Sequence, residues 1–371
     1  MNLTAIAPIE FPKLGIKLDP PIDFRLENGV GFNLYGLVIV IGLFLAVFYA
    51  LKRRKEFGLL ENDLLDGILG ILPFSIICAR AYYLIFSWKE FAGEPWWKVF
   101  AFWEGGIAIY GGVIGAALGI IVLCKVKKIK LGAVLDITSL GFLIGQSIGR
   151  WGNFFNREAF GSYCDNFLAM RVPSSFLPAA QRATEKGAEL LAKATEGGYA
   201  GFIQVHPTFL YESIWNAVGF VGLHFLSKKR KYDGQVALSY LAWYGLGRTF
   251  IEGFRMDSLY WGPIRVSQML AALTCFIAVA ILVIQAFRYH NPADLFVNQS
   301  TDALEAEEER KKAAAENKKP FLAKLLKKDE AEEAVETVEE TEETPDEEAE
   351  EEPAEESEEE PDFEIEVEEE E

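Results

Sequence analysis

Residues 29–51, 105–124 and 266–287 carry no charged side chain, and each is long enough as a helix to cross roughly 30 Å of hydrocarbon. Four further stretches, 64–86, 131–150, 207–227 and 235–254, are apolar with a few polar interruptions. Together they predict seven spans. Basic residues collect after the first, third and fifth of these, in Lys52-Arg53-Arg54-Lys55, the four lysines of 125–130, and Lys228-Lys229-Arg230-Lys231. Short basic loops stay on the cytoplasmic side. The N-terminus is therefore expected outside and the C-terminus inside, with 87–104, 151–206 and 255–265 as the outer connections. Trp88, Trp96 and Trp97 fall at interface depth in the first of these.

The expected fold class is an all-α polytopic membrane protein with seven transmembrane helices. Residues 1–28 form an extracytoplasmic N-terminal segment and 29–290 the membrane domain. A small extracytoplasmic insertion spans 151–206, in which Gln181 to Thr195 reads as a helix. Residues 291–371 form a cytoplasmic, disordered acidic tail.

Composition supports this division. Residues 302–371 hold 33 acids and 8 bases, a net charge of −25, against −19 for the whole 371-residue chain, so the remainder is net positive. A single soluble globule is excluded. From Thr301 onward there is little apolar material to bury, although the basic stretch Lys318 to Lys328, with its leucines, suits either an anionic membrane surface or a frayed helix. Cys78, Cys124, Cys164 and Cys275 have no paired spacing, which implies neither a disulfide framework nor a zinc site. The N-terminus has no cleavable signal pattern.

Glycine recurs at every fourth position at Gly111, Gly115 and Gly119 and again at Gly141, Gly145 and Gly149. Such stripes let helices approach closely in lipid, so they are assigned to packing.

Chemistry is sought where polar groups enter hydrocarbon at a cost. Asn33 and Tyr35 stand at the start of the first span and Glu104 and Tyr110 at the start of the third. His206, Tyr211 and Glu212 open the fifth. Gln146 and Arg150 lie one turn apart near the outer end of the fourth span, and Tyr244, Arg248 and Glu252 recur at four-residue spacing along one face of the sixth. All fall at outer-leaflet depth, which predicts a shared polar cavity. Arg150 and Arg248 offer forked donors suited to a phosphate, Asn153 and Asn156 add neutral hydrogen bonds, and Glu158 and Glu252 can orient the arginines or handle protons. The plainer alternatives are an ion pair for Arg248 and Glu252, interface aromatics for Tyr35 and Tyr244, and a packing role for His206 and Tyr211. Arg157, Arg255 and Arg265 read as interface anchors.

The run Gly149-Arg150-Trp151-Gly152-Asn153-Phe154-Phe155-Asn156-Arg157-Glu158-Ala159-Phe160-Gly161 resembles the signature of the prolipoprotein diacylglyceryl transferases. Tyr35-Gly36, the run from Gly105 to Gly112, His206-Pro207-Thr208 with Tyr211-Glu212, and Tyr244, Arg248 and Glu252 resemble the same family in the same order. Coverage extends over about residues 20–290.

The resemblance implies a bacterial inner-membrane enzyme of seven spans. It would move the diacylglyceryl group of phosphatidylglycerol to a lipobox cysteine thiol of a prolipoprotein, without metal or organic cofactor and without a nucleic-acid partner. Carried over, Arg150, Asn153, Glu158 and Gly161 belong to the signature, and Tyr35, Tyr244, Arg248 and Glu252 match other functional positions.

Where the family often has histidine before the Gly-Gly of the third span, this chain has Tyr110. A phenol, protonated at neutral pH, is a poor base, which leaves the thiol base unassigned. The expected catalytic set is Arg150, Arg248, Tyr110 and Glu252. The expected binding set is Tyr35, Gln146, Asn153, Asn156, Glu158, Gly161, His206 and Tyr244. A transporter or flippase for an anionic lipid is the alternative, and it predicts polar residues continuing to the inner leaflet.

Overall fold

The computed structural model describes residues 2–3, 8–25, 31–91, 93–101, 105–258, 260–262 and 264–312. A helix answers each expected span: α1 Leu34–Arg53, α2 Glu61–Phe86, α3 Ile109–Lys127 and α4 Leu131–Asn156, then, after α5 Glu185–Glu196 in the insertion, α6 Thr208–Ser227, α7 Gln235–Ile251 and α8 Val266–Ala286. Among the described helices, α1 to α4 and α8 are long and apolar enough to cross a membrane. The chain is thus a mostly helical, polytopic membrane protein. The less apolar α6 and α7 carry Glu212 and Arg248.

Helix α4 is the centre of the bundle, packing on α1, α6 and α7 through buried Ile137, Leu140 and Leu143. Helix α6 is fastened to α7 by Trp215 and Trp243, which stack at 4.3 Å. Each indole N–H donates to the other's backbone carbonyl at 3.0 Å. That lock sets the register in which Glu212 faces Arg248.

Helices α2 and α3 pair along the first glycine stripe. A Cβ on Gly111 would stand 2.5 Å from the carbonyl oxygen of Cys78, which is the packing role expected of it. Beyond each other, these two helices meet α1 and α4 only over short stretches.

Helix α4 runs past Arg150 to Asn156 instead of ending there. Its last turns are held by Phe154, which packs on Phe209 at 5.0 Å, and by the Trp151 indole, which donates to Ser213 Oγ at 3.2 Å.

The all-α expectation is corrected by nine short strands among the described residues. β1 (Asn2–Leu3), β4 (Asp23–Arg25) and β5 (Gly31–Asn33) form one sheet, and β8 (Tyr260–Trp261) and β9 (Ile264–Arg265) form a hairpin. β2 (Ile9–Phe11) and β3 (Ile16–Leu18) join β6 (Met170–Pro173) and β7 (Phe202–Val205) in the order β3-β2-β6-β7. In that sheet Glu10 pairs with Arg171 while Ile9 and Phe11 turn inward, as strand periodicity requires. The N-terminal segment and the insertion therefore form one cap, with its own core of Ile9, Val172, Leu190 and Ile203, all fully buried.

The first residues of the expected tail form helical turns. Asn291 caps a turn at Pro292–Asp294, Phe296–Gln299 is helical, and residues 301–312 continue as helix. The Phe296 N–H donates to Asp233 Oδ2 at 2.8 Å, and Glu307 reaches Arg54 at 3.1 Å. Averaging over an acidic segment concealed this cap and the apolar residues behind it. Lys318 to Lys328 lies outside the described residues.

Candidate active site

Three helix ends converge on one carboxylate. Glu212, in the first turns of α6, is buried, with only 4% of its side chain exposed. Its Oε2 meets Arg150 Nη2 from α4 at 2.6 Å. Its Oε1 accepts from Arg248 Nη1 of α7 at 2.9 Å and from Arg255 Nη1 at 3.3 Å. Glu252, one turn beyond Arg248, holds that guanidinium's other fork at 2.7 Å. Arg255 is bidentate to Asp257, at 2.9 and 2.5 Å.

Burial works against the Arg255 charge. The bonds to Asp257 and the nearness of Glu212 and Glu252 outweigh it and raise this guanidinium's pKa. Asp257 is in turn held below the ordinary carboxylate range: burial opposes its ionisation, but Arg255 prevails. Three guanidiniums thus face three carboxylates.

The arginines are not sealed in. Arg150 and Arg248 keep 23% and 18% of their side-chain surfaces exposed, and Arg150 borders a cavity of about 540 Å³ between α1, α2 and α4. Tyr35, Gln146, Arg150 and Asn153 make its polar end. Leu43, Val47, Ile68 and Phe142 continue it as an apolar trough. A second cavity of about 240 Å³ shares Leu43, Ile68 and Phe142 and reaches Leu59 and Ile129. A polar head backed by an apolar channel has the shape and chemistry of a phospholipid site.

The second glycine stripe therefore does more than pack. A Cβ on Gly141 would stand 3.6 Å from Ala46 Cβ, but one on Gly145 or Gly149 would meet nothing within 4 Å, and all three line the cavity. They make room.

Residues 21–284 match the prolipoprotein diacylglyceryl transferase family. The chain belongs to that family. Similar proteins include the phosphatidylglycerol–prolipoprotein diacylglyceryl transferase of Oceanobacillus iheyensis, 39% identical over 271 residues, 71% of this chain and 88% of that one. The enzyme of the same name from Lactiplantibacillus plantarum is 39% identical over 277 residues, 73% and 90% of the two chains. That of Enterococcus faecalis is 38% identical over 281 residues, 75% and 94%.

In this member of the diacylglyceryl transferase family the signature run is a helix end and a strained turn. Arg150 Nη1 donates to Asn153 Oδ1 at 3.2 Å. Asn153 and Asn156 donate to Glu158 Oε1 at 3.0 and 3.4 Å. Arg157 and Ala159 both take left-handed backbone, with φ of 54° and 55°, a conformation that costs a non-glycine residue energy.

Arg157 holds this turn. It is 1% exposed, donates to the carbonyls of Phe155 at 2.7 Å and Pro20 at 2.6 Å, and lies over the Phe176 ring. It is a buried pin, not the interface anchor expected from sequence. Arg255 is corrected likewise, from anchor to a member of the charged group.

Other expected residues support the site from a distance. Gly152 lets the Tyr35 ring lie against α4, where a Cβ would stand 2.7 Å from the ring. Gly161 packs so tightly that a Cβ would come within 2.7 Å of His206 Cβ, and its N–H donates to the His206 carbonyl at 2.9 Å. The His206 ring hydrogen-bonds Tyr211 at 3.2 Å and packs on Phe254, and burial pushes its pKa down. Gln146 donates to Tyr240 at 2.9 Å, on which Tyr244 stacks at 5.7 Å.

Among the described residues, no hydrogen bond or ion pair joins Tyr110 to the charged group. Tyr110 is 49% exposed, next to Ile109, which lines the cavity. Glu104 lies outside the described residues.

Sequence reading undervalued Glu212 and passed over Arg80. Arg80, on α2, donates to the carbonyls of Lys98, Val99, Gly105 and Gly106 and so shapes the Gly-Gly loop leading into α3. An arginine inside an apolar helix is the signal that could have found it.

Proposed function

We propose that the chain carries out its family's reaction with Arg150 and Arg248 gripping the phosphate of phosphatidylglycerol. It moves the diacylglyceryl group onto a prolipoprotein cysteine, the lipobox cysteine at the end of the signal peptide, leaving a thioether and glycerol phosphate. This is the first step of lipoprotein maturation. The enzyme works in the bacterial plasma membrane, with α6 and α7 as the fifth and sixth of seven spans, joining the five apolar helices. Its N-terminus lies outside, its C-terminus inside, and its site faces the extracytoplasmic leaflet. The lysine and arginine clusters after α1, α3 and α6 support that orientation.

The observation that carries the reading is the meeting of two partly exposed guanidinium forks on one buried carboxylate, beside the polar head of an apolar trough. Sulfur attacks the glyceryl carbon, the carbon–oxygen bond breaks, and negative charge gathers on the departing phosphomonoester. Guanidiniums fixed in advance stabilise that charge. Glu252 orients Arg248, while Asn153 and Glu158 orient Arg150. Tyr35, Gln146, Asn156 and Tyr244 shape the head-group end, and Gly161 and His206 secure the loop above it.

The thiol ionises more readily than a hydroxyl, so the reaction does not depend on a strong base at Tyr110. Transfer from phosphatidylglycerol to a lipobox peptide by the Arg248→Ala protein tests the reading. Loss of transfer by a folded protein is expected, and full activity would remove the leaving-group role.

A further inference from the structure

The charge count of the site poses a question that phosphate binding alone does not answer. Arg150, Arg248 and Arg255 are matched one for one by Glu212, Glu252 and Asp257. A phosphodiester entering this group brings a fourth negative charge among three positive ones. It also finds its ground taken: Glu212 presents one oxygen to Arg150 and the other to Arg248, which is how a phosphate with two free oxygens would bridge the same pair.

We propose that Glu212 is the site's resident anion: it exchanges with the lipid phosphate for the two guanidiniums, and the carboxylate so released takes the proton of the attacking thiol. The proposal rests on the assignment of Arg150 and Arg248 to the phosphate.

The surroundings of Glu212 suit such an exchange. It is held by hydrogen bonds and ion pairs to arginines, and Arg255 stays with it through Oε1 at 3.3 Å when the other two turn to the lipid. Its helix does not have to move, since the Trp215–Trp243 lock holds α6 on α7. Arg150 and Arg248 do not collapse when they release it, because Asn153 and Glu252 still hold them.

Each step balances. A sulfur lone pair forms the sulfur–carbon bond while the carbon–oxygen bond breaks, its electron pair staying on the phosphomonoester oxygen. The thiol proton moves to the Glu212 carboxylate. When the phosphomonoester departs, Glu212 gives that proton to water and returns to the arginines. The scheme supplies the base that the sequence leaves unassigned at Tyr110, and it resets the site after each turnover.

The test is binding of glycerol 1-phosphate to the full-length protein in detergent, paired with transfer kinetics from phosphatidylglycerol to a lipobox peptide. Replacing Glu212 by glutamine removes the competing charge but keeps its shape. Glu212→Gln is expected to bind the phosphomonoester about tenfold more tightly, because the binding-competent arginines are no longer occupied. It should also lose about a hundredfold in kcat, the contribution of a positioned base, with no rise in the KM for lipid. Unchanged or weaker binding, or kcat retained, overturns the proposal.

Arg150→Ala and Arg248→Ala separate this from the underlying reading. If they lose glycerol phosphate while Glu212→Gln binds as the parent does, the arginine assignment stands and the exchange fails. If they bind normally, the arginine assignment itself fails. Should Glu212→Gln not fold, Glu212→Asp draws the carboxylate back by one methylene: tighter binding than the parent supports the exchange, and equal or weaker binding overturns it.

Discussion

Paired arginines occur at both ends of the helix bundle, and the two sets do different things. At the end carrying the basic loops, Arg53 donates to Tyr49 at 2.6 Å and Ser227 at 3.1 Å, and Tyr49 closes on His224 at 2.8 Å. Arg230 lies over the Phe57 ring at 4.3 Å. Nearby, Asp136 caps the start of α7, accepting from the N–H groups of Gly234 and Ala237 at 2.9 and 2.8 Å. Arg53 and Arg230 each keep 6% of the side chain exposed.

At the opposite end, Arg150 and Arg248 are three to four times as accessible and share their carboxylate, and Arg150 borders a cavity. The same residue type serves as a rivet where its donors are spent on fixed neighbours and as a ligand-binding group where they are spent on an exchangeable anion. Polarity at membrane depth does not distinguish the two cases. Accessibility and the identity of the partner do.

The two ends differ most in what their arginines do. Arg150→Ala and Arg248→Ala should each lower transfer by about a thousandfold, the upper range for removing one preorganised donor, and lysine should not restore it, since a point charge cannot reproduce the fork. At the other end Arg230→Ala should cost about 3 kcal/mol of stability by leaving Asp136 and Asp233 without their cation, while turnover per folded molecule stays at the parent's rate. Thermal unfolding and a transfer assay on the same preparations read both effects.

A smaller change tests the cavity. Gly149→Leu places a side chain in open space and should raise the KM for phosphatidylglycerol about tenfold, the scale of discrimination by a few methylenes, with the melting temperature unchanged. Smallest of all, Tyr110→Phe should cost less than about tenfold in kcat. A dead Tyr110→Phe enzyme with an active Tyr110→His counterpart would return the base to that position.

The helices were legible because lipid demands long charge-free runs, and the basic clusters punctuate them. Arg248 and Glu252 were legible as a pair because helical periodicity sets residues four apart on one face. The cap was not: the alternation of Ile9, Glu10 and Phe11 is three residues long, and its partner strand begins at Met170, a separation that local pattern cannot bridge.

Glu212 was read as one polar group at a span entrance, although Glu212, Asn216 and Gly219 share the buried face of α6, the stripe that marks an inward-facing acid. Arg255 and Asp257 sit in a turn, where no periodicity indicates direction. Gly149 was read as a packing residue because a sequence records small size but not what fills the space beside it.

The proposed chemistry depends on where the lipid phosphate sits. A structure of the full chain with bound phosphatidylglycerol measures this directly. The predicted result is phosphate oxygens about 2.7–2.9 Å from the guanidinium nitrogens of both Arg150 and Arg248, with Glu212 turned away from them. Head-group density elsewhere, with both arginines still closed on Glu212, would contradict it.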